Sequence, residues 1–255
     1  MEWNLDRVKN ISEDLAVKLL DGFEPIKDTK TNNVELGKKL QDIGIITPLK
    51  GKSLFTDEDY KKKWGSYIGI FTSNGMGHTE RDKNNLILHI TPIAMQVKNK
   101  NISYKEFIIA ILSRIQFPKP NGSGFGYTLD GNYDKPFIKI LKVLYLLYQY
   151  DIEQAWIDNY DIVNHLERSS YMCNYIELYK DILVSRSQKA VRIGAPNRDI
   201  LMNKCLESNF IIKDGNKYRI NENELENIKI VIVANQSEYF NEDKSRWFSY
   251  FGKEI

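Results

Sequence analysis

A mainly helical α+β fold with small β-hairpin wings is predicted by three observations on the 255-residue sequence. The stretch Ser103–Tyr150 reads as two apolar helices joined by a Pro/Gly-rich loop. Before it, helical patterns are followed by a hairpin pattern, and after it the same order returns. The expected organisation is therefore a first subdomain over residues 1–102, a helical hinge over 103–150 and a second subdomain over 151–255.

Composition sets the outer bounds. A hydrophobic share of 42% and a charged share of 27% are those of an ordinary soluble protein with enough chain for real cores. The net charge of +2 leaves room for a basic face opposite an acidic one. The start, "MEWNLDRVKN", is polar and lacks the apolar run of a secretory signal. Cys173 and Cys205 form no CxxC pair, and the histidines are not clustered in sequence. Neither a disulfide scaffold nor a structural zinc site is expected, and a reducing, cytoplasmic setting fits.

Ser12–Asp21 and Val34–Ile43 carry helical spacing, and Gly44 stands where a helix C-cap needs it. Thr56 with Asp59 three residues on is a capping-box start, with acidic residues in the first turn and Lys61, Lys62 and Lys63 beyond. Ile68–Thr72 is expected as a strand, "SNGMGHTERDKNN" as a hairpin tip carrying His78, and "LILHIT" as the return. In the hinge, Phe107, Ile108, Ile111, Leu112 and Ile115 make one apolar stripe. From Phe137 the second helix is apolar nearly all round, with Lys139, Lys142 and Gln149 as its polar strip. It is too short to span a membrane, so it is a core helix. Beyond Tyr150, Ile157–Arg168, Tyr171–Val184 and Asn197–Ser208 read as helices. "FIIKDGNKYRI" is a hairpin about Asp214-Gly215, while "IKIVIVA" (228–234) fits a buried strand or a helix. Helix, helix and hairpin is the outline of a winged helix, so the fold class is two winged-helix subdomains joined by a helical hinge.

Charge places the candidate interface. Lys180, Arg186, Lys189, Arg192, Arg198 and Lys204 face only Asp181 and Asp199 just before the second hairpin. Winged helices set that region against DNA, where Lys and Arg neutralise phosphates. Phosphate contacts are expected from Lys61, Lys62, Lys63, Lys180, Lys189 and Lys204. Base edges are to be read by Ser66, Asn74, His78 and Arg81 in the first subdomain, with Ser73 beside them. In the second the readers are Arg186, Gln188, Arg192, Asn197, Arg198 and Asn203.

No catalytic constellation stands out. The tripeptides Asp28-Thr-Lys30, Asp59-Tyr-Lys61 and Glu242-Asp-Lys244 have the spacing of a metal-dependent nuclease, but none lies on an apolar strand. "NGSGFG" (121–126) has no strand leading into it and no Lys-Ser/Thr after it, so it reads as a connector. His89 alternates inside an apolar strand and reads as structural.

The order of segments resembles the N-terminal DNA-recognition region of type IIS restriction and nicking endonucleases, the AlwI-type group. In that family a strand like "LILHITPIAMQV" runs into a T-x-x-G helix; Thr91 is present here and Ala94 replaces the glycine. "QFP" (Gln116, Phe117, Pro118) matches the family's helix end, and "KPFIKILKVLYLL" its Pro-preceded apolar helix. "LVSRSQKAVR" matches its Arg-rich stretch, and "APNRD" (Ala195–Asp199) the start of its second recognition unit. "FIIKDGNKYRI" then follows, and "WFSYFG" (Trp247–Gly252) resembles the exit to a linker. The resemblance runs from Val34 to Gly252. It implies a monomeric reader of double-stranded DNA with no small-molecule substrate, no membrane and no cofactor of its own. It also implies that Mg²⁺ belongs to a separate nuclease domain absent from this chain. The alternatives are a winged-helix transcriptional regulator or modified-base reader, a protein-interaction module, and a complete small Mg²⁺-dependent nuclease around Glu242 and Lys244.

Overall fold

The computed structural model describes residues 3, 11–47, 55–82, 85–117, 133–188, 198–235 and 239–255. These fall into two compact units, one over residues 6–107 with 248–255 and one over residues 1–5 with 108–247. The boundary differs from the one expected. Ser103–Tyr150 forms no segment of its own, since the division falls between Phe107 and Ile108. The Pro/Gly-rich join at 118–132 lies outside the described residues.

In the first unit, α1 (Glu13–Phe23) is capped by Ser12, whose Oγ accepts from Leu15 N. A short strand, β1 (Lys30–Thr31), leads to α2 (Asn33–Asp42). Asn32 and Glu35 close a capping box at its start, and Gly44 just past its end takes φ 73°. α3 (Asp57–Ser73) has the second box. Asp59 N donates to Thr56 Oγ1, and Asp59 Oδ2 accepts from Thr56 N at 3.0 Å. Thr56→Ala is expected to destabilise the protein by about 1 kcal/mol, to be measured by urea denaturation.

β2 (Gly77–Asp82) and β3 (Asn85–Ile90) follow as a hairpin, and β1 pairs on the far side of β3, giving the order β1-β3-β2. Ile68–Thr72 is thus the last part of α3, not a strand. Tyr60, Trp64 and Phe71 lie along one buried side of this helix, and Phe23 meets both Trp64 and Phe71 edge-on at 5.5 and 5.4 Å. That aromatic cluster overrides the local β-propensity of Ile68, Ile70 and Thr72. α4 (Pro92–Lys98) completes this part of the chain.

α5 (Tyr104–Arg114) contains the unit boundary, and α6 (Pro136–Tyr150) is the central helix of the second unit. Phe137, Ile138, Ile140, Leu141, Val143, Leu144 and Leu147 are all buried, as its composition requires. Its expected polar strip turns partly inward. Lys139 is fully buried, with Nζ 2.9 Å from Asp134 Oδ2 and 2.7 Å from Ser169 O. Burial works against both charges, raising the Asp134 pKa and lowering that of Lys139, while their mutual attraction opposes it. Trp3 Nε1 donates to the same carboxylate at 2.8 Å.

β4 (Trp156–Ile157) and the short α7 (Asn159–Asp161), continued as a π-helical turn over Ile162–Leu166, replace the single helix expected over Ile157–Arg168. Then come α8 (Tyr175–Ser187) and α9 (Asp199–Leu206). β5 (Ile211–Asp214) and β6 (Lys217–Ile220) turn through Gly215 at φ 59°. The second sheet has the order β4-β6-β5. In both sheets the first strand therefore pairs with the third, and a helix immediately precedes the hairpin. The 228–234 stretch is helical, within α10 (Leu225–Ala234), and α11 (Trp247–Phe251) ends the chain's regular structure. The protein is thus mainly helical with two three-stranded antiparallel sheets. No described helix is long and apolar enough to cross a membrane.

Candidate nucleic-acid interface

α3 precedes the hairpin of the first unit and presents a solvent face made of Glu58, Lys61, Lys62, Gly65, Ser66 and Gly69. The spacing of three and four residues puts them on one side of the helix. Lys62 pairs with Glu58 at 3.4 Å, with both side chains well exposed, so the pair is a weak surface contact. The two glycines are the unusual feature. Among the described residues, a Cβ at Gly65 or Gly69 would meet nothing within 4 Å. At Gly37 of α2, by contrast, it would lie 2.7 Å from Tyr60 Cβ, so that glycine serves the packing of α2 on α3. A glycine inside a helix destabilises it by roughly 0.5–1 kcal/mol relative to alanine. Gly65 and Gly69 carry that cost with no internal packing reason, and they leave a smooth, narrow surface on α3.

The other expected residues of this unit separate. Ser66 is exposed on the same face, and its Oγ donates back to Lys62 O at 3.4 Å. Lys63 is half-buried, as is Ser73, whose Oγ donates to Ile70 O at 3.2 Å. Asn74 is fully buried and ends α3, its Nδ2 donating to Ile70 O at 2.7 Å. A buried helix-end amide cannot also read a base edge. Arg81 is exposed on β2. His78 lies on that strand rather than at a hairpin tip, directly across from His89.

Burial sorts the second unit's cations. The Arg198 side chain is buried, held by both carboxylate oxygens of Glu167, with Nη2–Oε2 at 3.0 Å. Lys204 is also buried, with Nζ 2.5 Å from Glu207 Oε2. Burial lowers the Lys204 pKa and raises that of Glu207, against the attraction between them. Arg186 donates to Asp161 Oδ2 at 2.8 Å, Gln154 O at 2.9 Å and Trp156 O, and its guanidinium stacks 3.6 Å from the Trp156 ring centroid. Arg198 and Arg186 hold α9 and α8 to the unit, while Lys204 pairs within the end of its own helix. All three are engaged inside the protein, which corrects their expected role as contacts to DNA. A buried charge keeps a partner because solvation there is lost.

Lys180, Gln188 and Asn203 are exposed, with Asn203 next to Ile200 on the solvent side of α9. Lys189, Arg192 and Asn197 lie outside the described residues. On the second hairpin, Lys217 sits 4.0 Å over the Trp156 ring and Lys213 5.6 Å over Tyr218. Neither lysine was expected from the charge run, which ends at Lys204; their place on a hairpin is the signal that singles them out.

The carboxylates of the nuclease-like tripeptides serve local structure. Asp28 accepts from His89 at 2.7 Å, Asp59 closes the α3 capping box, and Glu242 pairs with Arg246 at 2.7 Å.

The arrangement defines a class: a two-unit α+β fold in which each unit sets a helix before a hairpin. No family model matches the chain, and no curated protein matches it in sequence. Its fold is similar to that of the BpuJ1 endonuclease binding domain, whose crystal structure was solved in complex with pyrene- and phenanthrene-modified DNA. The match covers 96% of each chain with a TM-score of 0.63 and 17% sequence identity, a likeness of fold.

Proposed function

We propose that this chain is a sequence-specific double-stranded DNA recognition domain of the restriction-endonuclease kind, built from two winged-helix units. The observation that carries the reading is the solvent face of α3. It is bare at Gly65 and Gly69, flanked by Lys61 and Lys62, and placed just before a hairpin. Its fold is similar to that of a domain solved on DNA. A winged helix seats such a helix in the major groove, where a side chain-free strip lets the backbone approach the base edges closely.

In this reading Lys61 and Lys62 contact phosphates on either side of the groove, Arg81 contacts the backbone from the hairpin, and Ser66 faces the bases. The second unit contributes Asn203 and Gln188 as readers and Lys180, Lys213 and Lys217 as phosphate contacts. Lys189, Arg192 and Asn197 from the stretch before α9 join them. DNA binding then needs no cofactor.

The test is fluorescence anisotropy with labelled duplexes across a salt series. The double variant Lys61→Ala, Lys62→Ala is expected to bind every duplex more weakly by a similar factor. Its log–log salt slope should be shallower by about 2, one for each lost phosphate contact. An unchanged slope would take α3 off the phosphates.

A further inference from the structure

The histidines of the first hairpin come together in a way their sequence spacing hides. His78 of β2 and His89 of β3 are direct cross-strand partners, and Glu80 follows two residues after His78 on the same face. Their rings stack at 4.6 Å, and Phe248, from the same unit, stacks on the other side of His78 at 4.6 Å. Gly77 permits this close pairing, because a Cβ there would fall 2.2 Å from His89 O. Ligand atoms of His78, Glu80 and His89 all lie within 4.8 Å of one another.

Hydrogen bonding fixes which nitrogen of His89 is available. Its Nδ1 is 2.7 Å from Asp28 Oδ1. An ionised carboxylate only accepts, so Nδ1 carries the proton and neutral His89 has its lone pair on Nε2. That Nε2 is buried, has no hydrogen-bond partner among the described residues and faces Glu80 Oε2 at 3.7 Å. Glu80 Oε1 in turn lies 3.9 Å from His78 Nε2. Two acceptors facing one another with no donor between them repel, and a cation between them removes the conflict. Asp28 occupies the left-handed region at φ 58°, a conformation that Asp tolerates better than most residues and that delivers its carboxylate to His89.

We propose that His78, Glu80 and His89 bind one divalent cation of the zinc type, with Asp28 as the positioning residue for His89. Two imidazole nitrogens and one carboxylate suit zinc, with a fourth position left to water. The Asp28–His89 contact is the carboxylate–histidine support that orients a metal-ligating ring. Ligands about 2 Å from zinc lie closer together than those seen here, so side-chain rotation must draw the three inward. The exposed Glu80 side chain leaves the site open on one side. Strand pairing thus brings together two histidines that are not clustered in sequence. The cation site is independent of the DNA-binding reading.

The full chain, stripped with a chelator, should be titrated with Zn²⁺ against a chromophoric chelator in the absence of DNA. One ion per chain is expected, with loss of binding in the double variant His78→Gln, His89→Gln. Asp28→Asn should weaken binding about 10–100-fold. Glu80→Gln, at an exposed side chain, tests the site without threatening the fold and should also weaken it. Cobalt in place of zinc should give visible bands without thiolate charge transfer, which separates this site from Cys173. Absence of saturable binding to the wild-type chain would overturn the proposal and leave a proton between His89 and Glu80. Undiminished binding in both the double-histidine variant and Glu80→Gln would equally overturn it.

Discussion

Arg198→Ala is expected to destabilise the protein by about 3–5 kcal/mol, the range for removing one partner of a buried ion pair. The guanidinium and the Glu167 carboxylate are both buried, and Trp3 N also donates to Glu167 Oε1 at 3.3 Å. Alanine would leave that carboxylate in the interior without its cation. Against a typical total of 5–15 kcal/mol, the loss is a large fraction of the fold's stability. Urea denaturation should show a lower midpoint with a similar slope. At low temperature, the fraction that stays folded should bind DNA with near wild-type affinity and preference. Selective loss of one preferred sequence with unchanged stability would return Arg198 to the bases. Replacing both partners together, Arg198→Met with Glu167→Leu, should recover much of the lost stability, because no charge is then left unpaired.

The second large effect has opposite signs in two measurements. Gly65→Leu with Gly69→Leu should raise stability by about 1–2 kcal/mol, since leucine is among the better helix formers and the side chains project into open space. The same pair should weaken DNA binding at least tenfold, about 1.4 kcal/mol, because two large side chains would hold α3 away from the groove. A variant that is more stable yet binds poorly cannot be explained by misfolding. Equal affinity in wild type and variant would place this helix face away from DNA.

Local chemistry made much of the fold legible in the sequence. The Thr56–Asp59 capping box, Gly44 at a helix end and Asp214-Gly215 in a hairpin each act within a few residues, and each takes its expected place. The end of α3 was not legible in the same way. Ile68, Ile70 and Thr72 favour a strand locally, and only the packing of Trp64 and Phe71 on Phe23 settles them as helix. The 228–234 run was ambiguous for a related reason. It forms a helix with Ile228 and Ile232 buried and Ile230 and Val233 exposed, a split that hydrophobicity alone does not show.

The candidate site was less legible than the fold. A count of cations treats Arg186, Arg198 and Lys204 as equals of Lys61, yet their partners settle their roles. Asp161 is 25 residues from Arg186 and Glu167 is 31 from Arg198, so burial comes from tertiary structure alone. The pairing of His78 with His89 depends on strand register, which a shift of one residue would abolish. The bare strip at Gly65 and Gly69 was open to view in the sequence, but its meaning depends on α3 continuing to Ser73.

Selection from a randomised duplex library, with the bound fraction sequenced at several salt concentrations, tests the central claim most directly. The account predicts enrichment of one short site and an affinity that falls steeply with salt, while Gly65→Leu with Gly69→Leu loses the enrichment. Salt-independent retention, or bound duplexes as random as the input, would contradict a sequence-specific DNA reader.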